Sequence, residues 1–337
     1  MNATNTINIG VLGCANIAQK SVIPAILELK QMFVLRAIAS REKGKADLFA
    51  NNFNCNAIEG YDKLINSPEI DAIYIPLPSG LHKEWVNKAL SAGKHVYAEK
   101  SLAICNSDAE FMVANARHND LALMEGFMFQ YHSQHEIVLN LIKSNAIGEL
   151  RHFFSSFGFP PLPEDNFRYN EDIGGGVLMD AAGYPLRAAH FVLGNGLKVE
   201  GATLYFDPKI KTCLWGSAFL SGANGLGASI SFGFDNYYQC RYEIWGAKGK
   251  IVAERAFTPQ PNFSPRIMLE TTNGSELIEA APDNHFVKAF VEFYNTIFSP
   301  IKREKHYSDI LTQSQSLDLI YNLARPIHKR NDACVIS

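Results

Sequence analysis

The feature that most constrains this chain is the alternation of short apolar runs with amphipathic segments over its first 125 residues. Strands are predicted over residues 7–12, 33–39, 72–77, 95–98 and 122–124, and helices over residues 22–29, 43–53, 82–92 and 108–119. Strands that alternate with helices of this length indicate βαβ units and a parallel sheet. We therefore predict a doubly wound parallel sheet in a domain spanning residues 1–125.

The pattern changes beyond residue 126. Two helices are predicted there, followed by β-rich runs separated by turn residues and by a last helix: the helices over residues 132–144, 177–193 and 308–325, the strands over residues 227–234, 239–245 and 250–253. Such runs are typical of antiparallel sheets. We predict a second, α+β domain over residues 126–337 with a large, mainly antiparallel open sheet. A chain of 337 residues is long enough for two domains.

Charge and cysteine content exclude several classes of protein. The net charge of -3 gives no reason to expect nucleic acid or an acidic membrane surface as a partner. Six cysteines are scattered without a C-x-x-C pair, which favours neither a zinc site nor a disulfide framework and is typical of a reducing cytoplasm. No signal peptide and no apolar stretch of about 18 residues is recognisable, so we expect a cytoplasmic protein without a membrane span.

A glycine turn between the first strand and the first helix predicts a dinucleotide site. Gly13, Ala15 and Ala18 follow the spacing G-x-G-x-x-G/A, with alanine in place of the second glycine. Small residues at these positions allow a tight turn, approach to a pyrophosphate and close helix–strand packing, with the phosphates at the helix N-terminus. Cys14, Asn16 and Ile17 complete this turn. Its position at the start of a βαβ series favours a dinucleotide site in a Rossmann domain. The alternative is an ordinary strand–helix turn.

The end of the second predicted strand indicates which nicotinamide cofactor binds. An NAD enzyme usually has Asp or Glu there to hold the ribose 2′-hydroxyl. This chain instead has Ser40 and Arg41, which can hydrogen-bond and pair with a 2′-phosphate, and Lys45 follows. We predict that NADP(H) is preferred and that NAD(H) is possible. The alternative is that Arg41 is a solvated loop charge.

Several segments in order carry a family resemblance over nearly the whole length. They are GCANIA (13–18), IPLPSGLH (75–82), AEKS (98–101), GFMFQYHSQH (126–135), GGGVLMDAAGYP (174–185) and YEIWGAKGKI (242–251). With these segments the chain resembles the glucose–fructose oxidoreductase / inositol dehydrogenase / rhizopine catabolism family, written Gfo/Idh/MocA. The stretch 240–259 is similar to its sugar-nucleotide 3-ketoreductase branch.

The resemblance implies roles for individual residues. Lys100 matches the lysine of the family's E-K-P motif near the nicotinamide, with Glu99 before it and Ser101 in place of the proline. Asp180 and Tyr184 match the aspartate and the residue four positions later. The resemblance implies that Lys100, Asp180 and Tyr184 are catalytic and bind substrate. Arg168, a basic residue outside these motifs, is expected to bind substrate as well. Cofactor contacts are expected from the turn residues named above and from Pro76, Leu77, His82, Glu99 and Lys100.

The residue types agree with hydride transfer to a carbonyl. Lys100 can stabilise a developing oxyanion, and a tyrosine can exchange the proton. Asp180 and Tyr184 lie four apart on one predicted helix face, which Pro185 should kink, and three glycines before it should let the backbone approach a ligand. His82 is either a ligand contact or a structural histidine. No cluster has metal-ligand spacing, so no metal is expected.

Three functions remain open. The first is NADP(H)-dependent reduction of a 3-keto nucleotide-linked hexose, with diphosphate contacts from among the basic residues Arg168, Lys209, Lys211, Arg241 and Arg266. The second is a dehydrogenase of free aldoses of the xylose or glucose type, or of trans-dihydrodiols. The third is a dinucleotide-binding sugar sensor without turnover. The uncovered face of the second sheet, together with the resemblance, predicts a homodimer or homotetramer through that sheet.

Overall fold

The computed structural model describes residues 6–170 and 173–327. Within these ranges the chain forms two compact units. The first contains the residues through His132 together with Asn284–Ser314, and the second contains Ser133–Asp283 and the residues from Gln315 onward. The domain bounds 1–125 and 126–337 remain a prediction. In the same ranges, no helix has the length and apolar character needed to cross a membrane.

The first unit contains a six-stranded parallel sheet, as predicted. Its strands, in the spatial order β3-β2-β1-β4-β5-β6, are β1 (Ile7–Leu12), β2 (Phe33–Ser40), β3 (Asn56–Glu59), β4 (Ala72–Ile75), β5 (His95–Ala98) and β6 (Leu123–Glu125). The helices between them are α1 (Ile23–Glu28), α2 (Lys43–Phe53), α3 (Tyr61–Ile65), α4 (His82–Ser91) and α5 (Asn106–His118), and a π-helical turn, Ala18–Val22, precedes α1. Every residue of β4 is buried, because helices cover both faces of a doubly wound sheet.

Two parts of this unit were not predicted. One is the short pair β3 and α3, whose strand is largely exposed and therefore has no apolar run. The other is helix α9 (His285–Ile297), which lies far along the sequence but packs on the parallel sheet. Its Phe290 stacks on Tyr97 with ring centroids 4.7 Å apart and also contacts Phe33 edge-on. Neither the helix itself nor its packing against this sheet was predicted from the sequence.

The second unit contains a nine-stranded sheet in the order β14-β13-β12-β11-β7-β10-β9-β8-β15. The strands are β7 (Leu150–Gly158), β8 (Lys198–Phe206), β9 (Cys213–Ser221), β10 (Gly227–Gly233), β11 (Gln239–Gly246), β12 (Gly249–Glu254), β13 (Arg266–Thr271), β14 (Gly274–Glu279) and β15 (Ala324–Ile327). Only the β7–β10 and β8–β15 pairs are parallel. The predicted large, mainly antiparallel sheet is thus confirmed. Side chains alternate along β7, with Phe153 and Phe157 buried and Phe154 exposed.

The remaining helices differ from the predicted ones in their bounds. They are α6 (Ser133–Lys143), α7 (Val177–Asp180), α8 (Gly183–Leu193) and α10 (Pro300–Leu323). The single helix predicted over residues 177–193 is interrupted at Ala181 and Ala182, one turn before Pro185, because a proline ring clashes with the carbonyl four residues earlier. Asp180 and Tyr184 therefore lie on two successive helices rather than on one face. The last helix begins eight residues before the predicted residue 308, through a charged segment without apolar periodicity, and residues 324 and 325 belong to β15.

Candidate active site

The dinucleotide turn lies at the carboxyl edge of the parallel sheet, directly after β1. Gly13 has a φ of +126°, and its N–H donates to the carbonyl oxygen of Ala39 at 3.0 Å. A Cβ at this position would come within 2.9 Å of Leu77 Cδ2. Only glycine combines this dihedral with this space. Ala15, Asn16 and Ile17 follow into the helical start, where phosphate oxygens can meet free N–H groups.

The end of β2 lies beside this turn. Ser40 is buried and accepts a hydrogen bond from the Glu42 N–H at 3.2 Å, whereas Arg41 and Lys45 are exposed. The Cys14 thiol lies 3.8 Å from the Lys45 carbonyl oxygen, and burial raises the pKa of this thiol despite the nearby Lys45 ammonium. Arg41, Lys45 and Cys14 thus border one surface, and no carboxylate stands at the last residue of β2.

A tyrosine that the sequence analysis did not single out lies beside this surface. Tyr61 begins α3, and its hydroxyl is 3.8 Å from the position that a Cβ on Gly13 would occupy. Burial raises the pKa of Tyr61, and the Arg41 guanidinium beside its hydroxyl opposes that rise. The strand before Tyr61 has no apolar run, so its position next to the turn could not be predicted.

The segment carrying Lys100 follows β5 and is held from both neighbouring strands. Tyr74, in β4, donates to Glu99 Oε1 at 2.7 Å, and Glu125, the last residue of β6, accepts the Leu102 N–H at 2.8 Å. Burial and the adjacent Glu99 raise the pKa of Tyr74 well above its usual value, so the phenol stays protonated as the donor. The peptide bond between Lys100 and Ser101 is cis. Lys100 itself is partly exposed.

His82, the first residue of α4, is completely buried. Its Nε2 lies 2.8 Å from the Leu77 carbonyl oxygen, and its Nδ1 lies 3.1 Å from that of Ser101 and 3.2 Å from that of Leu102. Burial lowers the pKa of this imidazole. Both ring nitrogens therefore face backbone carbonyl oxygens, and a neutral imidazole can donate to only one of these two sides.

In the second unit, Arg168 and Asp180 form an ion pair. Arg168 Nε donates to Asp180 Oδ2 at 2.7 Å, and both side chains are largely shielded, with 29% and 13% of their surfaces exposed. The glycines before α7 pack against the turn that carries Arg168. The N–H of Gly175 donates to the carbonyl oxygen of Asn170 at 2.9 Å, and the N–H of Gly176 donates to the carbonyl oxygen of Arg168 at 2.7 Å. These glycines therefore accommodate the chain's own backbone.

Tyr184 lies in the first turn of α8 and is only 6% exposed. Phe157 of β7 and Phe257 surround its ring, with centroids 4.7 and 5.7 Å away. Aromatic walls restrict the ring to a narrow range of orientations and exclude water from it. A tyrosine in such a setting can deliver its proton to one oxygen rather than to solvent.

The other basic residues considered for a diphosphate are exposed on the second unit. Arg266 pairs with Glu279 at 3.2 Å, and Arg241 lies 3.7 Å from Glu243. Lys209 and Lys211 belong to the turn after β8. Of the five candidates, Arg168 is the one whose side chain lies beside another predicted site residue. In the described ranges, no group of three His, Cys, Asp or Glu side chains could hold a metal ion.

These features define a class of protein: a Rossmann dinucleotide-binding unit with a lysine at a strand end, joined in one chain to a mixed sheet carrying a shielded tyrosine. Two family models match it. Residues 7–127 match the oxidoreductase family with an NAD-binding Rossmann fold, and residues 135–252 match the Gfo/Idh/MocA C-terminal domain. The chain belongs to the Gfo/Idh/MocA oxidoreductase family, as the resemblance predicted, and is an oxidoreductase.

Similar proteins extend over nearly the full chain. A dTDP-3,4-didehydro-2,6-dideoxy-alpha-D-glucose 3-reductase of Saccharopolyspora spinosa is 41% identical over 86% of this chain and 87% of its own. The enzyme of the same name from Actinomadura kijaniata is 37% identical over 96% and 97%. The crystal structure of KijD10, a 3-ketoreductase from Actinomadura kijaniata in complex with NADP and TDP-benzene, superposes with a TM-score of 0.93 at 36% identity, covering 97% of this chain and all of that one.

Proposed function

We propose that this protein is an NADP(H)-dependent reductase of a 3-keto sugar linked to a nucleoside diphosphate. The observation that carries the proposal is the similarity to dTDP-sugar 3-reductases at 37–41% identity over most of both chains. Retention of Lys100, Asp180 and Tyr184 supports turnover rather than binding alone. The small-molecule partner is thus a nucleotide sugar, and the nicotinamide cofactor is its reductant.

The first unit supports NADP(H) as the cofactor. Gly13 leaves space that a side chain would fill, and the adjacent helical start offers N–H groups to phosphates. Arg41 and Lys45 would hold a 2′-phosphate at the end of β2, with Ser40 as a neutral hydrogen-bonding group. Pro76, Leu77 and Glu99 line the same sheet edge and would border the nicotinamide half. Bound NADPH supplies the hydride.

We propose that Lys100 and Tyr184 act on the same sugar oxygen. The Lys100 ammonium stabilises the negative charge that develops on the carbonyl oxygen. Tyr184 donates its phenolic proton to that oxygen, which yields the hydroxyl group of the product. Because Phe157 and Phe257 restrict the Tyr184 ring, its phenolic oxygen is held in one position. Asp180 holds the Arg168 guanidinium, which leaves the remaining N–H groups of that side chain for substrate.

Two alternatives differ in their substrates. A dehydrogenase of free aldoses or trans-dihydrodiols would use the same lysine and tyrosine but would not need a nucleotide. A dinucleotide-binding sensor would bind cofactor and sugar without turnover. The deciding assay follows NADPH oxidation with a panel of 3-keto nucleotide sugars, the corresponding free sugars and, in the oxidative direction, aldoses and dihydrodiols. Activity on nucleotide-linked substrates alone is expected. Faster turnover of free aldoses, or none with any compound, would refute the proposal.

Two variants test the assigned roles. Tyr184→Phe should lower kcat by about 10²–10⁴-fold, typical of losing a general acid, with little change in NADPH affinity. Lys100→Met should cost at least as much, and the double variant should be less impaired than the product of the two single effects. Tyr237→Phe is the matched control, since this tyrosine is 87% exposed and should retain full activity. Full activity of Tyr184→Phe would contradict the assignment.

We also propose assembly through the uncovered face of the second sheet. Phe154 and Phe219 lie there on either side of Ser229 in the strand register, and Trp245 stands opposite His152. The three apolar side chains are 38%, 46% and 56% exposed. A contiguous apolar patch on a sheet face favours pairing with a second copy, as a homodimer or within a homotetramer.

We further infer a cytoplasmic location, since the five described cysteines are free thiols and Cys334 lies outside the described residues.

A further inference from the structure

The His82 imidazole joins two turns at the carboxyl edge of the parallel sheet. Its Nε2 contacts the carbonyl oxygen of Leu77, in the turn after β4, whose side chain packs against Gly13. Its Nδ1 contacts the carbonyl oxygens of Ser101 and Leu102, in the turn that carries Lys100. One buried side chain thus connects the dinucleotide turn with the lysine turn.

The position of the ring distinguishes this role from direct contact with a ligand. None of the His82 surface is exposed, and each ring nitrogen already lies within 3.2 Å of a backbone oxygen. A group that touched substrate or cofactor would need an accessible nitrogen. Two side chains contact the backbone of the Lys100 turn at different groups. Glu125 accepts the Leu102 N–H, whereas His82 contacts the carbonyl oxygens of Ser101 and Leu102. Without the imidazole, these two carbonyls would lose this partner.

We propose that His82 is a positioning residue: as the Nδ1–H tautomer it donates to the Ser101 and Leu102 carbonyl oxygens and thereby sets the position of the Lys100 ammonium. The expected effect on turnover rests on the proposed function, because Lys100 matters for rate only if the protein reduces a carbonyl. The expected effect of His82 on the backbone of the Lys100 turn does not depend on that function. A displacement of a catalytic group by about 1 Å can lower a rate by roughly 10²-fold, so a shift of this turn is expected to lower turnover.

Two substitutions separate the two sides of the ring. The side-chain amide of asparagine reaches approximately the position of Nδ1, and that of glutamine approximately the position of Nε2. His82→Asn therefore keeps a donor for Ser101 and Leu102, whereas His82→Gln keeps one for Leu77 only. His95→Asn is the control, since His95 begins the same strand β5 at the opposite edge of the sheet and accepts the Ala122 N–H at 3.0 Å.

The first measurement needs no substrate. Hydrogen exchange of the full chain, followed by mass spectrometry, reports on the amides of residues 99–103. In His82→Gln these amides should exchange about tenfold faster than in the wild type, the equivalent of losing one hydrogen bond. His82→Asn and His95→Asn should stay within about twofold of the wild type in this segment. Equal exchange in His82→Gln and the wild type would overturn the proposal.

The second measurement separates positioning from a general loss of stability. His82→Gln should lower kcat by about 10–100-fold while the Kd for NADPH stays within about twofold. His82→Asn should restore most of kcat, and His95→Asn should lower the melting temperature without changing kcat. If His82→Gln does not fold, His82→Ala is measured with free imidazole, which should restore kcat by occupying the vacated space. Equal kcat in the Asn and Gln variants, or no rescue by imidazole, would overturn the assignment to Nδ1.

The two measurements also keep this proposal distinct from the proposed function. Wild-type protein that oxidises NADPH with none of the panel would refute the reductase, whereas the exchange experiment would still test the His82 contacts. An active wild type with unchanged exchange in His82→Gln would refute the positioning role alone.

Discussion

Gly175 offers a sharp test of how the second unit holds its ion pair. A Cβ on Gly175 would lie 2.4 Å from the carbonyl oxygen of Asn170 and 2.8 Å from that of Arg168. Both are backbone atoms, so no change of side-chain rotamer relieves the overlap. To reach ordinary contact, the Gly175→Ala variant must move the two backbone segments apart by about 1 Å.

That shift sets the magnitude of the effect. The 2.9 Å bond from Gly175 N–H to Asn170 would open beyond hydrogen-bonding range, and the neighbouring 2.7 Å bond from Gly176 to Arg168 would follow. Each lost bond costs about 0.5–1.5 kcal/mol, and residual overlap adds about 1–3 kcal/mol. We therefore expect the free energy of unfolding to fall by roughly 2–6 kcal/mol. Because Arg168 moves relative to Asp180, turnover should fall by roughly 10²-fold.

Urea unfolding measures the first effect by tryptophan fluorescence, since Trp215 and Trp245 belong to the second unit and Trp85 to the first. Steady-state kinetics measures the second, and the Kd for NADPH should not change, since the dinucleotide residues belong to the first unit. Gly196→Ala is the matched control, because no atom lies within 4 Å of its Cβ position and its φ is not in the left-handed region. Stability and turnover of Gly175→Ala equal to those of Gly196→Ala would refute the reasoning.

Three further predictions use separate parts of the chain. Arg41→Ala should raise the Michaelis constant for NADPH by roughly 10–100-fold, as expected for one charge-assisted contact, and leave that for NADH nearly unchanged; equal effects on both would remove the 2′-phosphate assignment. Phe154→Glu places a charge on the outer sheet face and should shift the mass found by light scattering toward the monomer; a monomeric wild type at micromolar concentration would exclude the assembly. Burial, with a smaller effect of Arg303, lowers the pKa of His95 to about 4, so the unfolded chain binds a proton that the folded chain does not. Stability should therefore fall as pH decreases from about 6.5 to about 4, and His95→Asn should flatten this part of the stability curve.

Much of the first unit was predictable from pattern alone. The bounds predicted for β1, α2 and β5 agree with the structure, because strands buried on both faces appear as continuous apolar runs and the helices between them keep a helical period. Elements without such a signal were not predicted. Strand β3 is mostly exposed, and the first half of α10 is charged. The break before α8 was misplaced because Pro185 acts on the turn that precedes it.

The sequence by itself determined which chemical groups stand at the ends of parallel strands. Gly13, Arg41 and Lys100 each follow a strand, and parallel strands bring their carboxyl ends to one edge. The tertiary structure alone decided what holds these groups. Tyr74 bonds Glu99 across 25 positions, and Glu125 bonds Leu102 across 23. Arg168 pairs with Asp180, and His82 turns inward to backbone carbonyls. Such partners depend on which strands and turns become neighbours in space, and local sequence patterns do not determine these neighbours.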